Sequence, residues 1–300
     1  MKATFLFSSI SCALFILSSV NAQCYRSSNT CGKGTPPLCK RRDENGHITH
    51  QYLQQKLIDV YEKEHKKKKE WENWFDKQKK IITEDLEYKK NQWLQESEHS
   101  WEEYIVKLEE KWMHPGLGFE TEYKCKLYPQ CGKWPGKKWL LWFKKKGLDY
   151  LKKDYQKWLK SRLTDYNKLM KKTLLQHNTK YQEEWCTLPG KAEVADYWNK
   201  WYMWGLQSDV NYPLISRKYC LWLGRTTGEK NEWTKFIQGS GKTYMGEKCP
   251  SLQDFLSEKN DFFRHWLVDF FKKWVECRQW KVWLQERKDL INARKDKKAN

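Results

Sequence analysis

Large apolar side chains recur every three or four positions through residues 70–114, where charged residues surround them and neither glycine nor proline interrupts the run. At about 100° per residue they fall on one stripe of a helix. The stripe drifts by roughly 20° per heptad, as expected for a seven-residue repeat on a 3.6-residue helix. This pattern predicts one long amphipathic helix with a tryptophan seam, which consists of Trp71, Phe75, Ile82, Leu86, Trp93, Trp101, Tyr104, Leu108 and Trp112.

The same apolar stripe continues upstream through Leu53, Leu57 and Val60. The helix is therefore predicted to run from about residue 49 to residue 113, roughly 95 Å at 1.5 Å per residue. The Lys66–Lys69 run indicates a solvated face or, alternatively, a break in the helix. Pro115 and the glycines after it predict the end of the helix.

Further helices are predicted between clusters of proline and glycine. One runs from Pro135 to near Cys186, with a kink or short break at Gly147. A shorter helix carries tryptophans at three-residue spacing, and residues 205–250 are less regular, with short helical pieces near 219–223 and 229–237. The GSGKT sequence at 239–243 resembles the end of a phosphate-binding loop, but it lacks the upstream glycine and the preceding strand, so a glycine-rich turn is favoured.

Pro250 opens the last long helix, where Ser251 and Asp254 have the spacing of a capping box. The fold class predicted from these elements is all-α: an elongated bundle of long amphipathic, Trp-rich helices with disulfide-bearing loops. The predicted domains are a signal peptide (1–22), a Cys-containing irregular segment (23–47), a tryptophan-rich helical domain (48–290) and a basic disordered tail (291–300).

The first residues predict secretion. Lys2 precedes an apolar run at 5–20, and Val20 and Ala22 place small side chains before a cleavage site that follows Ala22. No later stretch predicts a transmembrane helix. The expected location is therefore outside the cytosol, with peripheral membrane association as an option.

Composition adds two constraints. The chain has 19 Trp, 16 Tyr and 12 Phe, and so many aromatic residues predict a folded chain. Its formal net charge of +19 favours an anionic partner such as nucleic acid, anionic lipid or sulfated glycan. Secretion argues against nucleic acid.

Cleavage of the signal peptide leaves nine cysteines. In an oxidising compartment they are expected to form up to four disulfides, with Cys125 and Cys131 close enough in sequence to close a small loop and one cysteine free or paired between chains. The connectivity and the oligomeric state stay open. The disulfide candidates are Cys24, Cys31, Cys39, Cys125, Cys131, Cys186, Cys220, Cys249 and Cys277.

The sequence contains no recognisable catalytic or metal-binding pattern. The seven histidines are scattered, no C-x-x-C supports a zinc site, and no Ser/His/Asp or Cys/His arrangement can be read from spacing. We therefore expect no cofactor and no enzymatic activity.

Interfacial contact is the alternative to core packing for the tryptophans. Residues 137–146, KKWLLWFKKK, combine aromatic, apolar and basic side chains without an acidic residue. The candidate contact residues for a membrane or receptor are Lys137, Lys138, Trp139, Trp142, Lys144, Lys145, Lys146, Trp198, Trp201 and Trp204.

Several of these stretches resemble the tryptophan-rich antigens of Plasmodium. The matching text is EWENWF (70–75), NQW (91–93), SWEEY (100–104), KWMH (111–114), KKWLLWFKKKGLDYLKKDYQKWL (137–159) and FFKKWVECRQWKVWLQERK (270–288). Within the fifth stretch the W-x-x-W…G…D-x-x-x-W spacing is met by Trp139, Trp142, Gly147, Asp154 and Trp158. The resemblance covers roughly residues 60–290. It departs from the family pattern in the Cys-bearing loop at 115–135 and the irregular segment at 205–250.

The resemblance implies a secreted or surface-associated helical domain without catalysis, in a family associated with binding to erythrocyte surfaces and with a proposed lipid-binding role. The expected function is contact with the erythrocyte membrane through lipid headgroups or anionic glycans. The alternatives are an adhesin for one erythrocyte protein receptor and a structural helical scaffold. The expected locations are the parasite surface, the parasitophorous vacuole or the host erythrocyte membrane.

Overall fold

The structure is a computed structural model that describes residues 50–188, 191–205, 212–246 and 249–299. The predicted signal peptide, the irregular segment at 23–47 and three of the cysteines (Cys24, Cys31 and Cys39) lie outside these residues. Gln55–Asn300 form one compact unit, and of the preceding unit, Met1–Gln54, only the start of the first helix is described. The described residues contain no strand, which confirms the all-α fold class.

Nine helices follow in order: α1 (His50–Met113), α2 (Phe119–Glu122), α3 (Tyr128–Cys131), α4 (Gly136–Trp142), α5 (Leu148–Tyr181), α6 (Lys191–Gly205), α7 (Tyr212–Tyr244), α8 (Pro250–Glu276) and α9 (Gln279–Ala299) among the described residues. Two π-helical turns, Phe143–Gly147 and Gln182–Cys186, follow α4 and α5. The first turn lies at Gly147, where a kink or short break was predicted, but the chain remains helical through it.

Helix α1 is continuous for 64 residues, including the Lys66–Lys69 run. Its length is about 96 Å at 1.5 Å per residue. The predicted seam is confirmed, because every member is buried except Tyr104, which is half-buried. Hence α1 lines the core along most of its length.

The other long helices pack around α1 in two directions. Helix α5 is antiparallel to α1, since His177 contacts Asp85 at 2.8 Å whereas Asp154 contacts Lys111 at 3.0 Å. Helix α7 runs parallel to α1, because Glu64 and then Trp71 on α1 bond to Arg225 and then Glu232 on α7. Helix α8 is parallel too, since Glu98 and then Glu109 bond to Lys259 and then Lys273. Helices α1 and α5 therefore form a three-helix bundle with α7 and α8, which share the third position, while α6 packs on α7.

The core has two clusters. One surrounds the first half of the seam and includes Trp71, Trp93, Tyr166 and Trp233. The other surrounds the second half and includes Trp112, Phe143, Trp139, Trp274 and Trp283. Half-buried Trp158 and Leu159 on α5 pack against both clusters, so the core is continuous along the bundle.

Two predictions about the C-terminal half were wrong. Residues 212–244 form one helix, in which Gly224, Gly228, Gly239 and Gly241 are all helical, so GSGKT is neither a turn nor a phosphate-binding loop. An added Cβ at Gly224 or Gly228 would meet no atom within 4 Å, which shows that these glycines are not required by packing. Parallel packing of α7 on α1 outweighs the helix cost of glycine, about 1 kcal/mol each relative to alanine.

The last helix also differs from its prediction. Arg278 adopts a φ of +46° and divides the helix into α8 and α9. The new direction lets the Trp283 indole donate to the Trp112 carbonyl at 2.9 Å and Gln279 donate to the Met113 carbonyl at 2.7 Å. These bonds satisfy carbonyls that the end of α1 leaves without helical partners.

The start of α8 and the end of α9 both differ from their predictions. Cys249, not Ser251, is the N-cap of α8, and it makes no side-chain capping bond. At the other end α9 continues to Ala299 where a disordered tail was expected from 291, because this stretch lacks glycine and proline and is rich in lysine, arginine and alanine.

Within the part of the chain that the structure describes, the predicted disulfide-bearing loops are not formed. The six described cysteines, which include Cys125 and Cys131, are free thiols. Cys131 lies in the core with Sγ directed at the Tyr128 carbonyl, whereas Cys125 interacts with Tyr150. Both thiols pack in the cluster around Trp112 and Trp139 without bonding to each other, and burial raises the pKa of Cys131 to about 11. The others are Cys186, Cys220, Cys249 and Cys277.

Candidate membrane-contact site

The five predicted lysines lie on the surface of α4 and the π-helical turn after it. Lys137, Lys138, Lys144, Lys145 and Lys146 are all exposed, and we call them the lysine stripe. None of them forms an ion pair with a carboxylate in the described part of the chain. Their charge is therefore available to an external anion.

The π-helical turn explains how three consecutive lysines can all face solvent. Lys144, Lys145 and Lys146 lie within Phe143–Gly147, whose wider turn advances by less than 100° per residue. A Cβ added at Gly147 would lie 3.0 Å from the Phe143 ring, so glycine lets the ring fold back against the backbone. Phe143 is completely buried and its ring centroid lies 4.4 Å from that of Trp274. Core packing thus anchors the turn that presents the lysines.

Trp139 does not belong to the contact surface. Its side chain is fully buried, with ring centroids 5.5 Å from Trp134, 6.4 Å from Trp274 and 6.3 Å from Trp283. The prediction of surface contact is wrong for this residue because α4 directs it into the core. Trp142 is half-buried and packs edge-on to Trp139.

Sequence reasoning did not single out the apolar groups beside the lysine stripe. Leu141 is 60% exposed and lies one helical turn from Lys137 and from Lys145. Two half-buried aromatic rings border the stripe: Trp134 lies under the Lys138 ammonium at 4.6 Å, and Phe271 on α8 lies 5.6 Å from Lys144. Leu141 could have been found from its i, i+4 spacing to the lysines, whereas Phe271 reaches the site only through tertiary packing.

The predicted Trp198, Trp201 and Trp204 lie on α6, in a different part of the fold. Trp198 is half-buried and stacks near Trp222, with centroids 6.4 Å apart. The side chains of Trp201 and Trp204 are outside the described residues. The structure provides no contact between α6 and the lysine stripe among the residues that it describes.

Tryptophan exposure as a whole favours packing. Of the 17 tryptophans with described side chains, nine are buried and eight half-buried. None is fully exposed among those 17. The described surface therefore carries no cluster of fully exposed tryptophans, and the exposed apolar group beside the lysine stripe is Leu141.

Asp154, the aspartate of the family-like spacing, has a packing role. It is buried, accepts a hydrogen bond from the Tyr123 hydroxyl and pairs with Lys111. A shallow groove of about 270 Å³ lies beside it between α1 and α5. The carboxylate also lies 3.9 Å from Lys157, and the other acid that lines the groove, Glu122, pairs with Lys111.

The described helices do not include a stretch that is both long and apolar enough to cross a bilayer. In the same residues, no three His, Cys, Asp or Glu side chains are grouped as metal ligands would be.

Comparison with models of protein families gives a match over most of the chain. Residues 70–283 match the family described as tryptophan-threonine-rich Plasmodium antigen, C-terminal. No curated protein matches the chain. The matched range contains most of α1, all of α2–α8 and the Trp283 contact that fastens α9 to α1. The chain therefore belongs to the tryptophan-threonine-rich antigen family of Plasmodium.

Proposed function

We propose that this antigen is a non-enzymatic host-cell interaction protein that binds the erythrocyte membrane peripherally through anionic lipid headgroups. The observation that carries the proposal is the lysine stripe: five exposed lysines without carboxylate partners around Leu141, on the surface of α4 and its π-helical turn. The proposed location follows from this partner: the parasite surface, the parasitophorous vacuole or the host erythrocyte membrane.

The lysine stripe and the adjacent Leu141 both suit an anionic bilayer. Each lysine near an anionic surface contributes about 1 kcal/mol. Leu141 adds an apolar side chain that can enter the boundary between headgroups and acyl chains. A sulfated or sialylated glycan would use the lysines but leave Leu141 in water, so lipid is the partner that accounts for both features.

The test is co-sedimentation of the full chain with vesicles of phosphatidylcholine alone or with added phosphatidylserine, at low and high salt. We expect binding to the mixed vesicles only, and its loss at high salt, because the Debye length falls from about 10 Å at 0.1 M to about 3 Å at 1 M. Absence of binding at low salt, or binding that salt does not weaken, contradicts the proposal.

Two matched variants distinguish binding through the lysine stripe from binding that depends only on the net charge of the chain. Replacing its five lysines by glutamine should abolish sedimentation. A control variant removes five exposed lysines elsewhere (Lys63, Lys77, Lys126, Lys171 and Lys172) and should retain most binding. Equal loss in both variants would show that net charge, not this surface, drives binding.

A third variant and treated red cells address the alternatives. Leu141→Ser should weaken vesicle binding while leaving heparin binding unchanged. Red-cell binding that protease treatment abolishes, and that the five stripe lysines do not affect, would instead indicate a protein receptor. A chain that binds neither cells nor vesicles would favour the structural scaffold.

A further inference from the structure

Helices α1 and α8 leave apolar side chains in water on a face that the lysine stripe does not include. Val106 on α1 is 65% exposed and Phe262 on α8 is 51% exposed. Trp266 on α8 is half-buried, and its indole donates to Glu109 on α1 at 3.4 Å. We call Val106, Phe262, Trp266 and the acidic residues named below the α1/α8 face.

The two helices are parallel here, which aligns these groups along one strip. Lys259 contacts Glu98 at 2.5 Å, and Lys273 contacts Glu109 at 2.5 Å about three turns further along α1 and four turns further along α8. Phe262 lies beside the first of these pairs, with its ring centroid 5.2 Å from the Lys259 ammonium. Trp266 lies between the pairs. Val106 is three residues before Glu109 and Phe262 is four residues before Trp266, so helical spacing places all three on the sides of α1 and α8 that these ion pairs join.

Carboxylates border these apolar groups. They are Glu98, Glu102, Glu109, Glu258 and Asp269. Three lysines pair with them, of which Lys259 is fully buried beneath the face; the other two are Lys272 and Lys273. Five acids less three bases leave a formal charge of −2. A negative surface with an exposed phenylalanine and a half-buried tryptophan stands out on a chain whose net charge is +19.

We infer that the α1/α8 face binds a cationic amphipathic helix of a partner protein. Apolar side chains of that helix would cover Phe262, Trp266 and Val106, as in helix-in-groove recognition. Its lysines and arginines would meet Glu102 and the neighbouring carboxylates, which sets orientation and speeds association. An anionic bilayer is a poor occupant because the bordering carboxylates repel it. The inference is independent of the lysine stripe.

The probe is a fluorescein-labelled helical peptide with leucines on one face and lysines on the other, measured by anisotropy with the full chain. Val106→Ser with Phe262→Ser should weaken its affinity about tenfold, equivalent to about 1.4 kcal/mol. The matched control is Leu175→Ser with Val268→Ser, two residues that are 60% and 53% exposed elsewhere on α5 and α8. Unchanged affinity in the first variant, or equal loss in both, overturns the inference.

Charge provides a second test. Glu102 is 77% exposed, so Glu102→Lys should weaken peptide binding without unfolding the chain, whereas Glu72→Lys, at 54% exposure, should not. Equal binding by a peptide with glutamate in place of lysine would contradict the role of the carboxylates. If sedimentation equilibrium shows that the chain self-associates and that Glu102→Lys abolishes this, the occupant is a second copy and the partner assignment fails. Vesicle binding through the lysine stripe should be unchanged in every one of these variants.

Discussion

Arg225 on α7 donates a hydrogen bond from Nε to Glu64 on α1 at 2.5 Å, and the two residues are 161 positions apart. The same separation joins Trp71 to Glu232 and Glu98 to Lys259. Because the separation is the same on both helices, α7 and α8 follow one register along α1 even though they are separate helices. The separation of 161 positions is also a whole number of heptads, 23. The Trp-rich seam therefore meets the same face of the third helix position throughout, as in a coiled coil.

The first prediction concerns Arg225, whose guanidinium lies between the buried carboxylates of Glu64 and Glu229. Arg225→Met leaves both carboxylates without this partner, and we expect a loss of about 3–5 kcal/mol in the free energy of unfolding. Urea unfolding followed by far-UV circular dichroism measures it. Arg264→Met removes a surface pair with Asp261 and should change stability by less than about 1 kcal/mol. Equal effects of the two substitutions would show that burial of the first pair is not important.

Two helical glycines should respond oppositely to alanine. Gly147→Ala places a methyl group 3.0 Å from the Phe143 ring, and such overpacking costs about 1–3 kcal/mol. Gly228→Ala on α7 meets no atom within 4 Å and should stabilise the chain by about 0.4–1 kcal/mol. Thermal unfolding of the pair checks the prediction. A stabilised Gly147→Ala variant would mean that the π-helical turn is not required.

Neighbouring positions on α4 should separate core from surface. Trp139→Ala removes a completely buried indole from the cluster of Trp112, Trp274 and Trp283 and should cost about 3–5 kcal/mol. Leu141→Ala, two residues away and 60% exposed, should change stability by less than about 0.5 kcal/mol. Chemical denaturation of both variants is the measurement, and a tolerated Trp139→Ala would contradict the packing described for α4.

The fourth prediction is a pH dependence. Burial lowers the pKa of Lys191 to about 8, against the attraction of Glu229 and Cys186, and its ammonium lies 3.5 Å from the centroid of the Trp185 ring. The unfolded chain holds this proton up to about pH 10, whereas the folded protein releases it near pH 8. The unfolded state thus binds more protons in this window, so the contribution of Lys191 to the free energy of unfolding rises with pH.

Comparison with Lys191→Met isolates this contribution, because other groups titrate in the same range. Between pH 7.5 and 9.5 (roughly the window set by the two pKa values), the parent chain should gain stability relative to the variant. Lys171→Met, at an exposed site, should follow the parent chain. A constant difference between parent and Lys191→Met across the window would rule out the perturbed ammonium.

Local periodicity was sufficient to predict α1, because apolar residues at helical spacing and the absence of glycine and proline dictate a helix whatever its partners. It failed in α7, where four glycines indicated turns but packing on α1 keeps them helical. It also failed at Arg278, whose left-handed conformation serves the contacts of Trp283 and Gln279 with the end of α1. A short window of sequence around α7 or Arg278 does not contain the residues that determine these two conformations.

Only part of the candidate site was predicted, because the remainder also depends on contacts between residues that are distant in the sequence. The five lysines of the stripe are exposed, as their composition indicated, but the direction of Trp139 is set by residues 135 and 144 positions later, Trp274 and Trp283. Phe271 joins the site from α8 in the same way. Conversely, the α1/α8 face combines side chains about 160 positions apart, and no sequence pattern on either helix alone would identify it.

The position of α1 at the start of the bundle has a consequence for synthesis. Its seam leaves the ribosome first, while the residues that cover it follow later, from Asp154, 43 positions after Lys111, to Trp283, 171 positions after Trp112. At about 5–20 residues per second, the last of these partners emerges roughly ten to thirty seconds after the tryptophans it covers. During that interval the nascent chain exposes a long row of indoles, so the yield of folded antigen should depend on holdase chaperones much more than its final stability would suggest.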